Sequence, residues 1–163
     1  MARYLLQRVG EDFKVDVSFA PKLFKDWNGS GCHTNYSTKE MRTTGGKKYI
    51  EDMMTRLGEK QREHMLCYGE GNDERLTGIH ETSSMDKFTW GVGNRAASVR
   101  IPTSVANNNY IGYIEDRRPA SNICPYLVCS LIADTTLIKE SKAGPMLAHV
   151  KDWFKWRKTQ NWD

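Results

Sequence analysis

The stretch GYIEDRRP, residues 112–119, decides how the rest of the chain is arranged. Read as a strand, its side chains alternate between faces with period two. Tyr113, Glu115 and Arg117 then share one face, and Ile114 and Asp116 point the other way. The first face carries an aromatic ring, a carboxylate and a guanidinium within about 14 Å. Such a row suits a nucleotide base, a divalent cation and an anionic substrate held side by side. It also suits a half-buried strand with an ordinary surface ion pair, and the strand alone leaves both readings open.

Outward from this strand, residues 88–102 (FTWGVGNRAASVRIP) place Gly91 and Gly93 before Arg95. A second strand follows, with Ala97, Val99 and Ile101 on one face and Ser98 and Arg100 on the other. The two strands are expected to pair as a hairpin, which brings Arg100 to Tyr113, Glu115 and Arg117. Guanidinium forks bind phosphates and carboxylates bidentately, so Arg95 and Arg100 are candidate anion contacts.

Upstream, KDWNGSGCHTNYSTK (residues 25–39) is a polar loop hinged on Gly29 and Gly31 and entering a short strand. His33 suits a metal ligand, a general base or a structural role. Asn28, Thr34, Asn35 and Ser37 supply neutral hydrogen-bonding groups. Further along, ERLTGIHETSS (residues 74–84) has Gly78 as a hinge between Arg75 and Glu81. It reads either as a mobile lid carrying a proton acceptor or as an ordinary solvated loop.

The remaining segments are scaffold. Residues 2–13 read as a helix with Leu5, Leu6, Val9 and Phe13 on one stripe, and residues 14–19 as an alternating strand. Residues 47–68 are helical with Ile50, Met53, Met54 and Leu57 as the apolar stripe, and Gly58 is expected to interrupt the helix. His64 receives no role. Residues 125–138 form a helix opened by Pro125 and burying Val128, Leu131 and Ile132. Residues 145–158 read as another, in a basic tail with Trp153, Trp156 and Trp162. That tail suits docking on the body, or a membrane surface or acidic partner.

At 163 residues the chain is long enough for one domain with a core, and 39% hydrophobic with 27% charged residues excludes a disordered chain. Its apolar runs are too short for a membrane span, and the N-terminus shows no secretory signal. The four cysteines form no CxxC pair, so a reduced cytoplasmic setting is expected. A net charge of +4 permits anionic ligands without arguing for nucleic acid. No Walker or dinucleotide fingerprint is present; the Gly pair of TTGGKKY lacks the P-loop spacing.

Taken together, DWNGSGCHTNYSTKEMR (26–42), RLTGIHETSS (75–84), GNRAASVRIP (93–102) and GYIEDRRPASN (112–122) resemble the C-terminal catalytic part of eukaryotic-type glutamine synthetases, in the family's order. The resemblance runs from about Tyr4 to Leu137. It implies a mixed α/β (α+β) fold with a mainly antiparallel sheet and helices on its outer side, incomplete here. It divides the chain into a partial catalytic domain, 1–138, and a divergent tail, 139–163.

The family joins ammonia to glutamate with ATP through a γ-glutamyl phosphate. By resemblance, His33 and Glu115 would be ligands of two different Mg²⁺ or Mn²⁺ ions. Asp26, Trp27 and Gly29 would line the glutamate pocket, with Arg75 on a substrate carboxylate. Asn35, Tyr36 and Ser37 would line the nucleotide site, with Tyr113 near the adenine. Arg95 and Arg100 would hold phosphates, and Arg117 the substrate end that receives the phosphoryl group. Glu81 would close the site and help deprotonate ammonium.

The family's further glutamate ligands lie upstream of the segment matched here, as does its small N-terminal domain. One histidine and one carboxylate cannot supply the oxygen-rich octahedron that Mg²⁺ prefers. Smaller departures are Ala20 for a usual Asp, a shortened loop before Asp26, Gly93 for Ala and Cys124 for Asp. The expectation is a family segment that is inactive alone. It would form homo-oligomers or associate with full-length subunits. The alternatives are a non-catalytic structural or interaction relative, or a truncated product without a stable fold; a guanidino kinase fits poorly.

Overall fold

A computed structural model describes residues 1–43, 45–79 and 81–138. Its elements run α1 (Ala2–Phe13), β1 (Thr34–Tyr36), a 3-10 turn (Glu40–Arg42), α2 (Gly46–Glu59), α3 (Gln61–Met65), α4 (Asn72–Arg75), β2 (Trp90–Val92), β3 (Val99–Ile101), α5 (Thr103–Asn107), β4 (Ile114–Asp116) and α6 (Pro125–Leu137). The expected helix at 145–158 and the tryptophan-rich tail lie outside the described residues.

The mixed α/β expectation holds. The sheet is open and four-stranded, in the order β1-β4-β3-β2. The opening strand sits inside it, with β4 antiparallel to both β1 and β3. Arg100 lies opposite Glu115 on one side of β4, and Asn35 lies opposite Glu115 on the other. The hairpin-like pairing expected from alternation is thus present, although α5 interrupts its connection.

The edge pair β2·β3 is parallel, with Trp90 opposite Val99. Only residues 93–98 connect the two strands. Six residues reach up to about 20 Å when extended, enough to retrace three residues and cross to the next strand. Gly93, at φ 64°, makes the reversal, and the returning loop carries Arg95.

Among the described residues two clusters of buried side chains make the core. One packs Ile50, Met53, Met54 and Leu57 of α2 against Val99, Ile101 and Ile114 of the sheet. The other packs Val128, Leu131 and Ile132 of α6 against Met65, Tyr68, Leu76 and Ile123. Tyr36 touches both clusters. The α2 stripe follows from the 3.6-residue period, which puts residues 50, 53, 54 and 57 on one face.

Two expectations need correction. Residues 14–19 are not a strand: Lys14 turns left-handed at φ 53° and closes α1 on the Glu11 carbonyl, and no ladder partner follows among the described residues. Alternation marks a face, but a strand also needs an edge to bond. Gly58 does not interrupt the helix; the break falls at Lys60. The glycine instead gives room to Phe88, whose ring would lie 3.0 Å from an added Cβ. The helix expected at residues 2–13 is present, and among the described residues its apolar stripe is not covered. Leu5, Leu6 and Val9 are about half exposed and Phe13 is 74% exposed.

Candidate functional site

The site grows out of the alternation along β4. Ile114 and Asp116 face inward, while Glu115 and Arg117 lie on the opposite side. The inward face holds a charged network. Arg118 is fully buried, and its Nε and Nη2 donate to the two carboxylate oxygens of Asp116 at 2.8 and 2.7 Å. Its Nη1 donates to Gln61 Oε1 at 2.5 Å, and its guanidinium lies 5.2 Å from the ring centres of Tyr68 and Phe88.

The Tyr68 hydroxyl donates to Asp116 at 3.0 Å and meets His64 Nδ1 at 2.6 Å, while His64 Nε2 meets Thr135. Burial lowers His64 to about 3, so it is neutral at physiological pH. Burial pushes Asp116 up, but the Arg118 charge outweighs it and leaves the carboxyl below its ordinary value. Burial and the Asp116 charge both raise Tyr68, which stays protonated. This network anchors the strand from behind and fixes which way Glu115 and Arg117 point.

On the outer face Glu115 is 8% exposed and tied three ways. Oε1 is 3.1 Å from His33 Nδ1; Oε2 is 2.6 Å from Arg100 Nε and 3.6 Å from Arg117 Nη1. The Arg100 contact is close as an ion pair but lacks hydrogen-bond alignment. Burial, then the Arg117 charge, lower His33 below its ordinary value, and Glu115 only partly opposes them.

A cavity of about 170 Å³ opens beside this cluster, lined among others by Gly29, His33, Arg75, Glu81 and Arg117. Arg75 is its most anchored wall. Nη2 donates to the carbonyls of Arg117, Arg118 and Pro119 at 3.2, 2.6 and 3.2 Å, and Nε donates to Asn72. Burial and the Arg117 charge lower its guanidinium to about 10, which keeps it cationic at neutral pH. Gly29 and Gly31 are required here. A Cβ on Gly29 would come within 2.3 Å of Arg75 Cγ, and one on Gly31 would come within 3.0 Å of the His33 ring.

The lid reading acquires contacts. Arg117 Nη2 donates to the Glu81 carbonyl at 3.4 Å, and Arg95 Nη1 lies 3.9 Å from Glu81 Oε1. Glu81 is held left-handed at φ 57°. Thr82 Oγ1 ties the loop to the carbonyls of Arg75 and Ile79.

Of the residues singled out in the sequence, the structure therefore brings together Gly29, His33, Arg75, Glu81, Arg95, Arg100, Glu115 and Arg117. Asn35 is next to Glu115 across the ladder. Ser37 donates to the Gly112 carbonyl at 2.7 Å and accepts from Arg42, and Tyr36 accepts from Thr136 at 2.8 Å. Both are thus committed to internal bonds. Asp26 lines a separate, larger groove with Lys22, Lys25 and Glu74. Trp27 is 69% exposed against Phe24, and Tyr113 stands at the surface.

Sequence reasoning passed over His64, Tyr68, Gln61 and Arg118. Arg118 was legible, because it shares the alternation of Asp116. Tyr68 and His64 carried only an i, i+4 spacing that many helices show.

No protein-family model matches the chain. Among curated proteins it is similar to the glutamine synthetase of Debaryomyces hansenii, 61% identical over 136 residues. That match covers 83% of this chain and 36% of the relative. The Saccharomyces cerevisiae glutamine synthetase is 59% identical over the same shares. The Yarrowia lipolytica one is 54% identical over 153 residues, 88% of this chain and 42% of the relative. The chain thus spans well under half the length of the curated relatives it matches. Its sequence over more than four fifths of its length places it in the eukaryotic glutamine synthetase family.

Proposed function

We propose that this chain supplies the anion-holding wall of an ATP-dependent glutamate–ammonia ligase site, and that the chain alone does not complete the reaction. The observation that carries this is the convergence of Arg75, Arg117 and His33 on one cavity, with Arg100 and Glu115 behind it. Two guanidinium groups on the wall of a small polar cavity, with that of Arg100 behind them on Glu115, suit a substrate carboxylate and a transferring phosphoryl group. Such chemistry is accelerated mainly by positioning and charge neutralisation.

The bonds of each residue support the part proposed for it. Arg75 has Nε and Nη2 committed to the protein, so Nη1 is the edge that receives a glutamate carboxylate. Arg117 bridges Glu115 and the lid, and with Arg95 and Arg100 it offsets phosphoryl charge. Glu81, paired to Arg95 at the mouth, closes the cavity against water and accepts a proton from ammonium. Asn35 and Tyr113 are the open positions for a nucleotide.

Mg²⁺ or Mn²⁺ is the expected partner of this chemistry, but the donors present do not fit a whole site. Among the described residues no group of three or more His, Cys, Asp or Glu side chains converges. His33 and Glu115 are in contact with each other, and two guanidinium groups already occupy Glu115 Oε2. No step is therefore assigned to a metal held by this chain. The missing donors would come from other segments or from full-length subunits in an oligomer. A cytoplasmic setting remains part of the proposal; among the described residues no helix is long and apolar enough to cross a membrane.

The test is γ-glutamyl hydroxamate formation from glutamate, ATP, Mg²⁺ and hydroxylamine by the purified chain. A sample that melts cooperatively is expected to give none above background. Product that disappears in Glu115→Ala would overturn the proposed inactivity. Binding of glutamate or inorganic phosphate should still be measurable and should weaken in Arg117→Ala. A chain that binds neither contradicts the anion-holding role.

The exposed stripe of α1 favours a second reading, a non-catalytic relative that works by association. Co-purification with a full-length fungal glutamine synthetase, lost when Leu6 and Phe13 are made polar, would support it; no co-purification would count against it.

A further inference from the structure

We propose that Asn28 is a site of spontaneous deamidation in the folded protein, a covalent change that places a negative charge on the rim of the cationic cavity. Nine asparagines occur in the sequence, and only Asn28 is followed by glycine. A glycine leaves the following peptide nitrogen sterically open and the backbone free to reach the attacking geometry.

The structure keeps that opportunity available. Asn28 is exposed and lies in neither helix nor strand. Among the described residues neither its side-chain amide nor the Gly29 N–H has a hydrogen-bond partner. The flanks are tied, since Ser30 N–H donates to the Pro21 carbonyl at 2.8 Å and Trp27 N–H donates to Phe24 at 3.2 Å. The 28–29 peptide unit between them is not tied.

The Arg75 side chain packs directly on Gly29, where an added Cβ would lie 2.9 Å from its Cδ. Its positive charge favours loss of the Gly29 amide proton, as any nearby cation favours an anionic form. The same packing forbids a larger residue at position 29. The geometry that forms the cavity wall therefore also fixes the reactive Asn-Gly pair.

The chemistry needs only water and hydroxide. Solvent base removes the Gly29 amide proton, and the nitrogen attacks Asn28 Cγ. The N–Cγ bond forms as the Cγ–Nδ2 bond breaks, and Nδ2 leaves as ammonia with a proton from water. Water then opens the five-membered imide at either carbonyl, giving an aspartyl or isoaspartyl residue at position 28. No oxidation or reduction occurs. The new carboxylate lines the same cavity as Arg75 and Arg117 and competes there with an incoming anion.

The test holds the full chain in warm, mildly alkaline buffer, both folded and unfolded in urea. The tryptic peptide 26–39 is then read by tandem mass spectrometry, with enzymatic isoaspartate labelling. This peptide also contains Asn35, which sits in the β1 ladder before Tyr36 and is the internal control. Asn28 should react well ahead of Asn35 in the folded chain. Its folded rate should stay within about tenfold of the unfolded rate, about 1.4 kcal/mol of barrier. Asn28→Gln should abolish the product. Protection of tenfold or more by folding, or reaction at Asn35 first, would overturn the proposal. The readout is covalent and stands whether or not the cavity binds glutamate.

Discussion

Asp116→Asn removes one charge at almost constant volume from a pair that has no access to water. Asp116 is 1% exposed and Arg118 fully buried. The carboxylate accepts from the Arg118 backbone N–H, Nε and Nη2 and from the Tyr68 hydroxyl, at 2.7–3.1 Å. After the substitution the guanidinium keeps Gln61 and two aromatic faces but no anion. Breaking a buried pair on one side costs about 3–5 kcal/mol, mostly because the remaining charge stays desolvated. With a urea slope of about 2 kcal/mol per M, the unfolding midpoint should fall by about 2 M. The melting temperature should drop by roughly 10 °C. The assay is urea unfolding followed by far-UV circular dichroism. A double variant, Asp116→Leu with Arg118→Met, removes both charges and should recover at least half of the loss, since well-packed apolar replacements are often neutral. A single-variant midpoint within about 0.5 M of the parent would mean that water reaches the pair, and the account of how β4 is anchored would fail.

Three further outcomes are expected. Unfolded His64 takes up a proton below pH 6.5 while the folded form resists until about pH 3, so its contribution is intact above 6.5 and lost as pH falls through that window. The loss from His64 should run at up to about 1.4 kcal/mol per pH unit, seen as the slope difference between the parent and His64→Asn in urea titrations from neutral to acid pH. Tyr68→Phe strips the hydroxyl shared by His64 and Asp116 and should cost about 1–3 kcal/mol in the same unfolding assay. Exchanging Leu6 and Phe13 for polar residues should change the stability of the monomer by no more than about 0.5 kcal/mol per site, because both are already exposed; a larger loss in sedimentation-verified monomer would show that α1 is covered.

Much of this arrangement was present in the sequence because periodicity survives without coordinates. A period of two along residues 112–119 separated Glu115 and Arg117 from Ile114 and Asp116, and that separation holds in β4. A period near 3.6 placed Ile50, Met53, Met54 and Leu57 on the buried face of α2 and Val128, Leu131 and Ile132 on that of α6. Four motifs, in order, carried the family.

Tertiary structure decided what no local pattern encodes. It joined His64 to Thr135 across 71 positions, and Arg118 to Gln61 across 57. It spent Arg75 on three carbonyls as well as on the cavity. It turned Tyr36 and Ser37 toward internal bonds, and left residues 14–19 outside any ladder of the described residues despite their alternation. The physical reason is that a side chain's period fixes only its direction. Which groups meet there, and how far water is excluded from them, depends on elements brought together from distant parts of the chain.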